Sequence, residues 1–301
     1  MAKGTIHTFP ILFFSAGTPL AGVLHRNVDE LATPQPAILV TGSWLTVKEQ
    51  MPSTYANALA ARGFTTFTFD FAGFGESGGE PRQAELPHRK IGDIMAAAEF
   101  LRSLSSVREG SVGHLAVCAS AQYGLAALAR GAAIDSFVSV AGWYHDTESV
   151  SPFYGGATGV ARRIEVARKA TSRFLRTREV ETAPAYDPGN ELAGMFFELP
   201  YYALTTRGAV PSWKNEMATM SWLHWLSFDG LSAASRVSQP AFFVHGDGCV
   251  LPDNAKRVYE ALTGRKDMLW TEGSQIDFYD QPALVEKSVD AADRHFRQSL
   301  R

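Results

Sequence analysis

Cysteine is scarce in this chain: Cys118 and Cys249 are the only two. Two thiols cannot build the disulfide framework of a small secreted domain, and these two stand in no pairing pattern. A cytoplasmic, reducing setting is therefore expected. Long apolar runs are missing as well. The run ILFF at 11–14 falls far short of the roughly 20 residues that span a bilayer. Lys3 is followed by no long apolar stretch and no clear cleavage site, so no signal peptide is expected. Nor is there an excess of positive charge. The formal net charge is -3, which gives no case for a nucleic-acid or membrane partner. Internal repeats and low-complexity segments are absent too. What remains is an ordinary globular composition, 301 residues with 46% hydrophobic and 20% charged. That suffices for one large domain or two medium ones.

Residues 4–27 read as a strand hairpin turning at Ser15-Ala16-Gly17-Thr18. AILV at 37–40 has the continuous apolar character of a strand buried on both faces. A helix ending near Gly63, a strand at 64–73, a helix at 88–104 and a strand ending at Val117 follow. A short helix from Tyr123 and a strand at 136–144 continue the alternation. Such a rhythm predicts an α/β fold with a mostly parallel, doubly wound sheet. Ligands then bind beyond the carboxyl ends of the strands. The loops at 41–48, 71–80, 118–122 and 143–148 share that rim. Residues 147–235 break the rhythm: they are rich in helix formers and aromatics, with no clear strand. They read as a helical lid inserted into a core made of 1–146 and 236–301. In the second core segment, strands at 240–248 and 267–273 alternate with helices at 252–262 and 281–300.

LAVCASAQYG at 115–124 organises the rest. A strand that turns at once into a helix needs small residues at the bend and pushes its apex side chain outward. This is the logic of the G-x-S-x-G nucleophile elbow. Here the five positions read Ala116-Val117-Cys118-Ala119-Ser120, so the apex is a thiol. In the rival register Ser120 is the apex, and Gln122 then falls at a position too tight for a long amide. Cys118 is the favoured apex. The bland alternative is that Cys118 is a small buried hydrophobe.

The element order, the elbow and the strings VTGSWLTVKEQM (40–51), FDFAGFGESGGEPR (69–82), VCASAQYG (117–124) and AGWYHD (141–146) resemble the α/β-hydrolase superfamily. Within it they look like dienelactone-hydrolase-like and polyketide-transferase-like members. The resemblance implies a nucleophile, an acid after a late strand and a His after the last strand. Cys118 matches the nucleophile. Asp247 is the only carboxylate in the acid segment HGDGC, although the family's acid sits nearer Cys249. Where the His belongs, before a hydrophobic-Asp-hydrophobic-Tyr-Asp string, this chain has Gln275.

Glutamine cannot take and return a proton as the His of a triad does. A serine apex would then be nearly inert, but a thiol retains some reactivity. Its ordinary pKa is about 8.5, and the terminus of a helix is expected to lower it. His145 on the same rim, oriented by Asp146, is a candidate replacement base; a structural role for it is the competing reading. Ser43, Trp44, Ala119, Ser120 and Trp143 are candidate oxyanion- or substrate-binding residues. Backbone N–H groups of Ala119 and of Ser43 or Trp44 would form the oxyanion hole. Asp70, Glu76, Lys48 and Glu49 read as structural ion-pair and turn residues. No cofactor or metal is expected.

Three functions fit. One is an enzyme acting on an apolar or aromatic carbonyl compound (ester, thioester or lactone) by hydrolysis or acyl transfer through Cys118. Another is a non-hydrolytic cyclase, lyase or isomerase using the same pocket. The last is a catalytically dead binding protein. Homodimerisation stays open.

Overall fold

The reversals of the chain across its sheet decide where a site can form. The computed structural model describes residues 5–28 and 33–301. Lys3 and the Gly4 start of the expected hairpin lie outside them. Strands β1 (His7–Ser15) and β2 (Thr18–Arg26) form an antiparallel hairpin. β3 (Gln35–Thr41) leads through helix α1 (Met51–Ala60) to β4 (Thr65–Phe69). From there α2 (Pro87–Ser103) leads to β5 (Val107–Val117), and α3 (Ser120–Leu128) to β6 (Ser136–Val140). The expected strands at 64–73 and 136–144 are thus shorter at their carboxyl ends. Their last residues instead form the site loops.

Segment 147–235 carries α4 (Thr147–Val150), the long α5 (Gly156–Thr177), β7 (Thr182–Ala183), α6 (Pro200–Ala203), β8 (Met217–Ala218) and α7 (Ser221–Leu226). Its expected lack of strands is corrected by the small antiparallel β7–β8 ladder. The chain then returns with β9 (Ala241–His245), α8 (Pro252–Ala261), β10 (Lys266–Trp270), α9 (Asp277–Asp280) and α10 (Pro282–Ser299).

The eight-stranded sheet has the order β1-β2-β4-β3-β5-β6-β9-β10. β2 pairs antiparallel with β4, and every pair from β4 to β10 is parallel. The step from β3 to β4 runs one way across the sheet and the step from β4 to β5 runs back. Right-handed crossovers therefore place α1 and α2 on opposite faces. The loops after β3 and β5 diverge between them, which is where open α/β sheets bind ligands.

β4 and β6 are buried along their whole length, and the hydroxyls of Thr65, Thr66, Thr68, Ser136 and Ser139 are all taken up in hydrogen bonds. One apolar cluster runs from this sheet into segment 147–235, joining Leu39 and Val117 to Trp44, Tyr154, Trp222 and Trp225. Among the described residues, no helix is long and apolar enough to cross a membrane.

Candidate active site

β5 ends at Val117, paired with Val140 of β6, and the next residue turns sharply. Cys118 has φ of 56°, in the left-handed region that a side chain other than glycine occupies only under strain. Three backbone bonds hold it there. The Cys118 N–H donates to the Val140 carbonyl at 3.1 Å, and the Cys118 carbonyl accepts from Ala121 at 3.0 Å and Trp143 at 2.9 Å. The bend lifts the thiol into a cavity of about 230 Å³.

Ser120 lies on the other side of the bend. It accepts from the Thr41 hydroxyl at 2.8 Å and donates to the Val117 carbonyl at 3.1 Å, away from the cavity. The two registers left open by the sequence are therefore distinguished by backbone geometry: Cys118 is the apex. Ser120, also taken as a substrate-binding candidate, is a buried brace between strands.

Trp44, Trp143, Phe153, Tyr154, Tyr202 and Trp225 give the cavity an aromatic wall, with Ser43, Gln275 and Tyr279 beside Cys118. Among the described residues, no carboxylate or imidazole lines it. The Cys118 thiol meets the hydroxyls of Ser43 and Tyr279 and the backbone N–H groups of Ala119 and Trp44. Of the two residues offered for the second backbone donor, Trp44 is the one that turns its N–H toward the sulfur. Burial nevertheless pushes the thiol pKa up, against these four donors. The expectation that the helix terminus lowers it is corrected. Desolvation outweighs these hydrogen bonds, so the sulfur carries its proton at neutral pH.

Gln275 sits in the cavity wall beside Cys118. Its Nε2 donates to the Ala141 carbonyl at 2.8 Å and to Tyr279 Oη at 3.2 Å, and its Oε1 accepts from Val250 N–H at 3.1 Å. Tyr279 Oη lies 3.3 Å from Ser43 Oγ, which also accepts from Tyr202 at 3.2 Å. The residue that the resemblance would make a base is thus tied to a chain of hydroxyls.

His145 does not replace the missing base. Its Nδ1 accepts from Trp143 Nε1 at 2.7 Å and its Nε2 donates to the Trp225 carbonyl at 2.8 Å, so both nitrogens are used. Burial lowers its pKa to about 4. Asp146 does not orient it either, because that carboxylate caps α4 through Ser149 N–H at 2.8 Å. The ring joins the loop after β6 to α7, a structural task.

Asp247 is also corrected. Its side chain is 78% exposed, lies 3.6 Å from Lys256 and is absent from the cavity wall. The loop after β9 projects it outward, while Val250 reaches the site. Trp143 lines the cavity as expected of a substrate-binding residue, and its N–H also holds His145.

Lys48, Glu49, Asp70 and Glu76 stand outside the cavity. Lys48 Nζ sits 2.8 Å from Asp70, 2.6 Å from Glu76 and 2.7 Å from Glu49. These three carboxylates could group around a metal ion, but the ammonium of Lys48 already stands among them. Lys48 N–H also donates to Asp70 at 2.8 Å, which anchors the loop carrying Ser43 and Trp44.

Tyr279 and Tyr202 are polar site residues that the sequence reading missed. Tyr279 lies four residues beyond Gln275, about one helical turn, and that spacing is the signal that could have found it. Tyr202 comes from α6 in segment 147–235, and no spacing relates it to the elbow.

A mostly parallel sheet, an elbow after its fifth strand and backbone donors facing the apex define an α/β-hydrolase fold. Within it, the chain belongs to the X-Pro dipeptidyl-peptidase (S15) family, whose model matches residues 22–275. It is similar to the uncharacterised protein PA2218 of Pseudomonas aeruginosa, with 29% identity over 275 residues, 88% of this chain and 74% of that one. It is also similar to the polyketide transferase claH of Penicillium crustosum, with 25% identity over 83% of each chain. The crystal structure of PA2218 superposes with a TM-score of 0.85 at 25% identity, covering 100% of this chain and 95% of that one. The α/β hydrolase GrgF of Penicillium sp. sh18 superposes at 0.76 with 18% identity, covering 97% and 99%, a likeness of fold alone. The protein is a hydrolase or acyltransferase of this fold.

Proposed function

We propose that the protein is an acyltransferase that moves an acyl group from an apolar or aromatic carbonyl compound through Cys118 to an acceptor other than water. The carrying observation is the site beside the thiol: Gln275 stands there with two phenols and a serine hydroxyl, and no described base lines the cavity. Water is a poor nucleophile unless a base removes its proton as it attacks. Thiols and amines attack activated acyl groups with far less help. An acyl group on Cys118 then outlives collisions with water and leaves when a better acceptor enters. The oxyanion formed at each step falls to the Ala119 and Trp44 N–H groups. Segment 147–235 acts as a lid whose aromatic side chains select the acyl chain. The polyketide transferase among the relatives is named for a transfer reaction, in keeping with this reading. The setting is cytoplasmic, with neither nucleic acid nor membrane as partner.

One observation favours a second reading. The thiol is neutral and already surrounded by donors, so the same donors could hold an enolate in a non-hydrolytic reaction without any covalent step.

The test uses thioesters of phenylacetic acid as acyl donors. Transfer through Cys118 predicts an adduct on that residue by mass spectrometry, discharged faster by added cysteamine than by buffer. Turnover that persists in Cys118→Ala sinks the covalent reading in favour of the enolate one.

A further inference from the structure

The hydrogen bonds around Gln275 have a direction, and it opposes that of a histidine base. The Val250 N–H can only donate, and it gives its hydrogen to Gln275 Oε1 at 3.1 Å. The Ala141 carbonyl can only accept, and it takes a hydrogen from Gln275 Nε2 at 2.8 Å. Together they settle which end of the amide is nitrogen. Gln275 Nε2 then also donates to the Tyr279 oxygen at 3.2 Å. A phenol engaged in this way turns its own O–H elsewhere. The remaining partners are the Cys118 sulfur and Ser43 Oγ, 3.3 Å away. Ser43 already accepts from Tyr202. Protons are therefore aimed at the reaction centre from the side where the superfamily places a base. Full burial also holds the Tyr279 pKa well above its ordinary value, so the phenol keeps its proton.

We propose that Tyr279 is the proton carrier of the transfer and Gln275 its positioning residue, which makes acyl donors with poor, basic leaving groups the substrates of this site. The proposal rests on the Cys118 acyl-transfer reading. In the acylation step the bond from Cys118 sulfur to the acyl carbon forms and the bond to the leaving sulfur breaks. The departing thiolate takes the Tyr279 proton. The Cys118 thiol proton passes to the phenol, directly or through Ser43. Tyr279 ends as it began, and one free thiol replaces another. A leaving group that is already a weak base gains little from this help. An alkyl thiolate gains most.

The experiment compares two donors of one acid, the butyl and the 4-nitrothiophenyl thioesters of phenylacetic acid. Acylation of Cys118 is followed in single turnovers by mass spectrometry. Tyr279→Phe removes the route for the thiol proton with either donor, so both should slow, the butyl thioester about tenfold more than the nitrothiophenyl ester because its leaving group also needs the phenol's proton. Gln275→Met, which frees the phenol to rotate, should slow both less, again with the larger loss on the butyl thioester. The ratio of the two rates is taken within one preparation, so a partly folded variant does not alter it. Equal losses on both donors in Tyr279→Phe overturn the proton-carrier role and leave acyl transfer standing. Failure of the unaltered protein to form a Cys118 adduct with either donor overturns the acyl-transfer reading, and the role of Tyr279 with it.

Discussion

Placing a histidine at position 275 should speed the release of an acyl group from Cys118 to water, and the structure sets how far. In Gln275→His one ring nitrogen can keep the bond to the Ala141 carbonyl, now 2.8 Å from Nε2. The other then faces the Tyr279 hydroxyl and the thiol. The Val250 N–H loses its acceptor. That position is half-buried, so the loss is at the lower end of the penalty for an unpaired polar group, about 1 kcal/mol. A general base contributes roughly 100- to 10,000-fold. The Ala141 carbonyl would fix the tautomer of the new ring, but Asp247 points into solvent and no other carboxylate lines the cavity, so no anion supports the imidazolium that forms. The gain should therefore be near 100-fold. The assay first acylates Cys118 with the nitrothiophenyl ester, then follows loss of the adduct in buffer. Gln275→His should deacylate about 100-fold faster, with an inflection near pH 6.5 that the unaltered protein lacks. If the variant melts cooperatively, acylates normally and deacylates no faster, then the missing base does not limit hydrolysis and the reasoning fails.

The thiol itself should titrate high. Because burial raises its pKa, iodoacetamide alkylation of Cys118 should keep rising with pH beyond the ordinary thiol value of about 8.5; a plateau below that value would contradict the site. His145→Gln should leave that profile unchanged, since the ring touches Trp143 and the Trp225 carbonyl rather than the sulfur. The same variant should reduce acid sensitivity. With the His145 pKa lowered to about 4, the unfolded chain binds a proton between about pH 6.5 and pH 4 that the folded chain refuses, so stability falls as pH drops through that window. Urea midpoints measured from pH 7 to pH 4 should fall more steeply in the unaltered protein than in His145→Gln. Asp70→Asn removes the buried one of three carboxylates around Lys48 and leaves Glu49 and Glu76 beside its ammonium, so it should cost about 1–3 kcal/mol in urea unfolding.

The fold was legible because its signals are periodic. Alternating strands and helices, the small residues around Cys118 and the continuous apolar run at 37–40 each have one structural meaning, and the strands and helices of the large sheet's layers formed at the expected places. The strand ends were less legible. Phe71, Trp143 and Tyr144 continue apolar stretches but belong to loops, because these loops are packed as strands are: Phe71 against Phe69, Tyr144 against Phe243, and Trp143 against Phe153 and Trp225. At the site, residue type and position along the chain identified Cys118, Trp44, Trp143 and Gln275 as members of the rim. They could not tell which side chains turn inward. Asp247 and His145 have the right chemistry on the right loops, yet one projects into water and the other is locked between two partners. Such outcomes depend on side-chain direction, which no linear spacing encodes for a loop. Tyr202 arrives from a distant segment and leaves no local trace.

The grip of Asp70 on Lys48 has a consequence for how this site can change over time. The loop that supplies the Trp44 N–H is fastened from behind, at the end of a neighbouring strand, by atoms that never meet a ligand. Substitutions inside the cavity therefore leave the Trp44 amide in place. Position 275 can change its chemistry while the backbone donors facing Cys118 stay where they are.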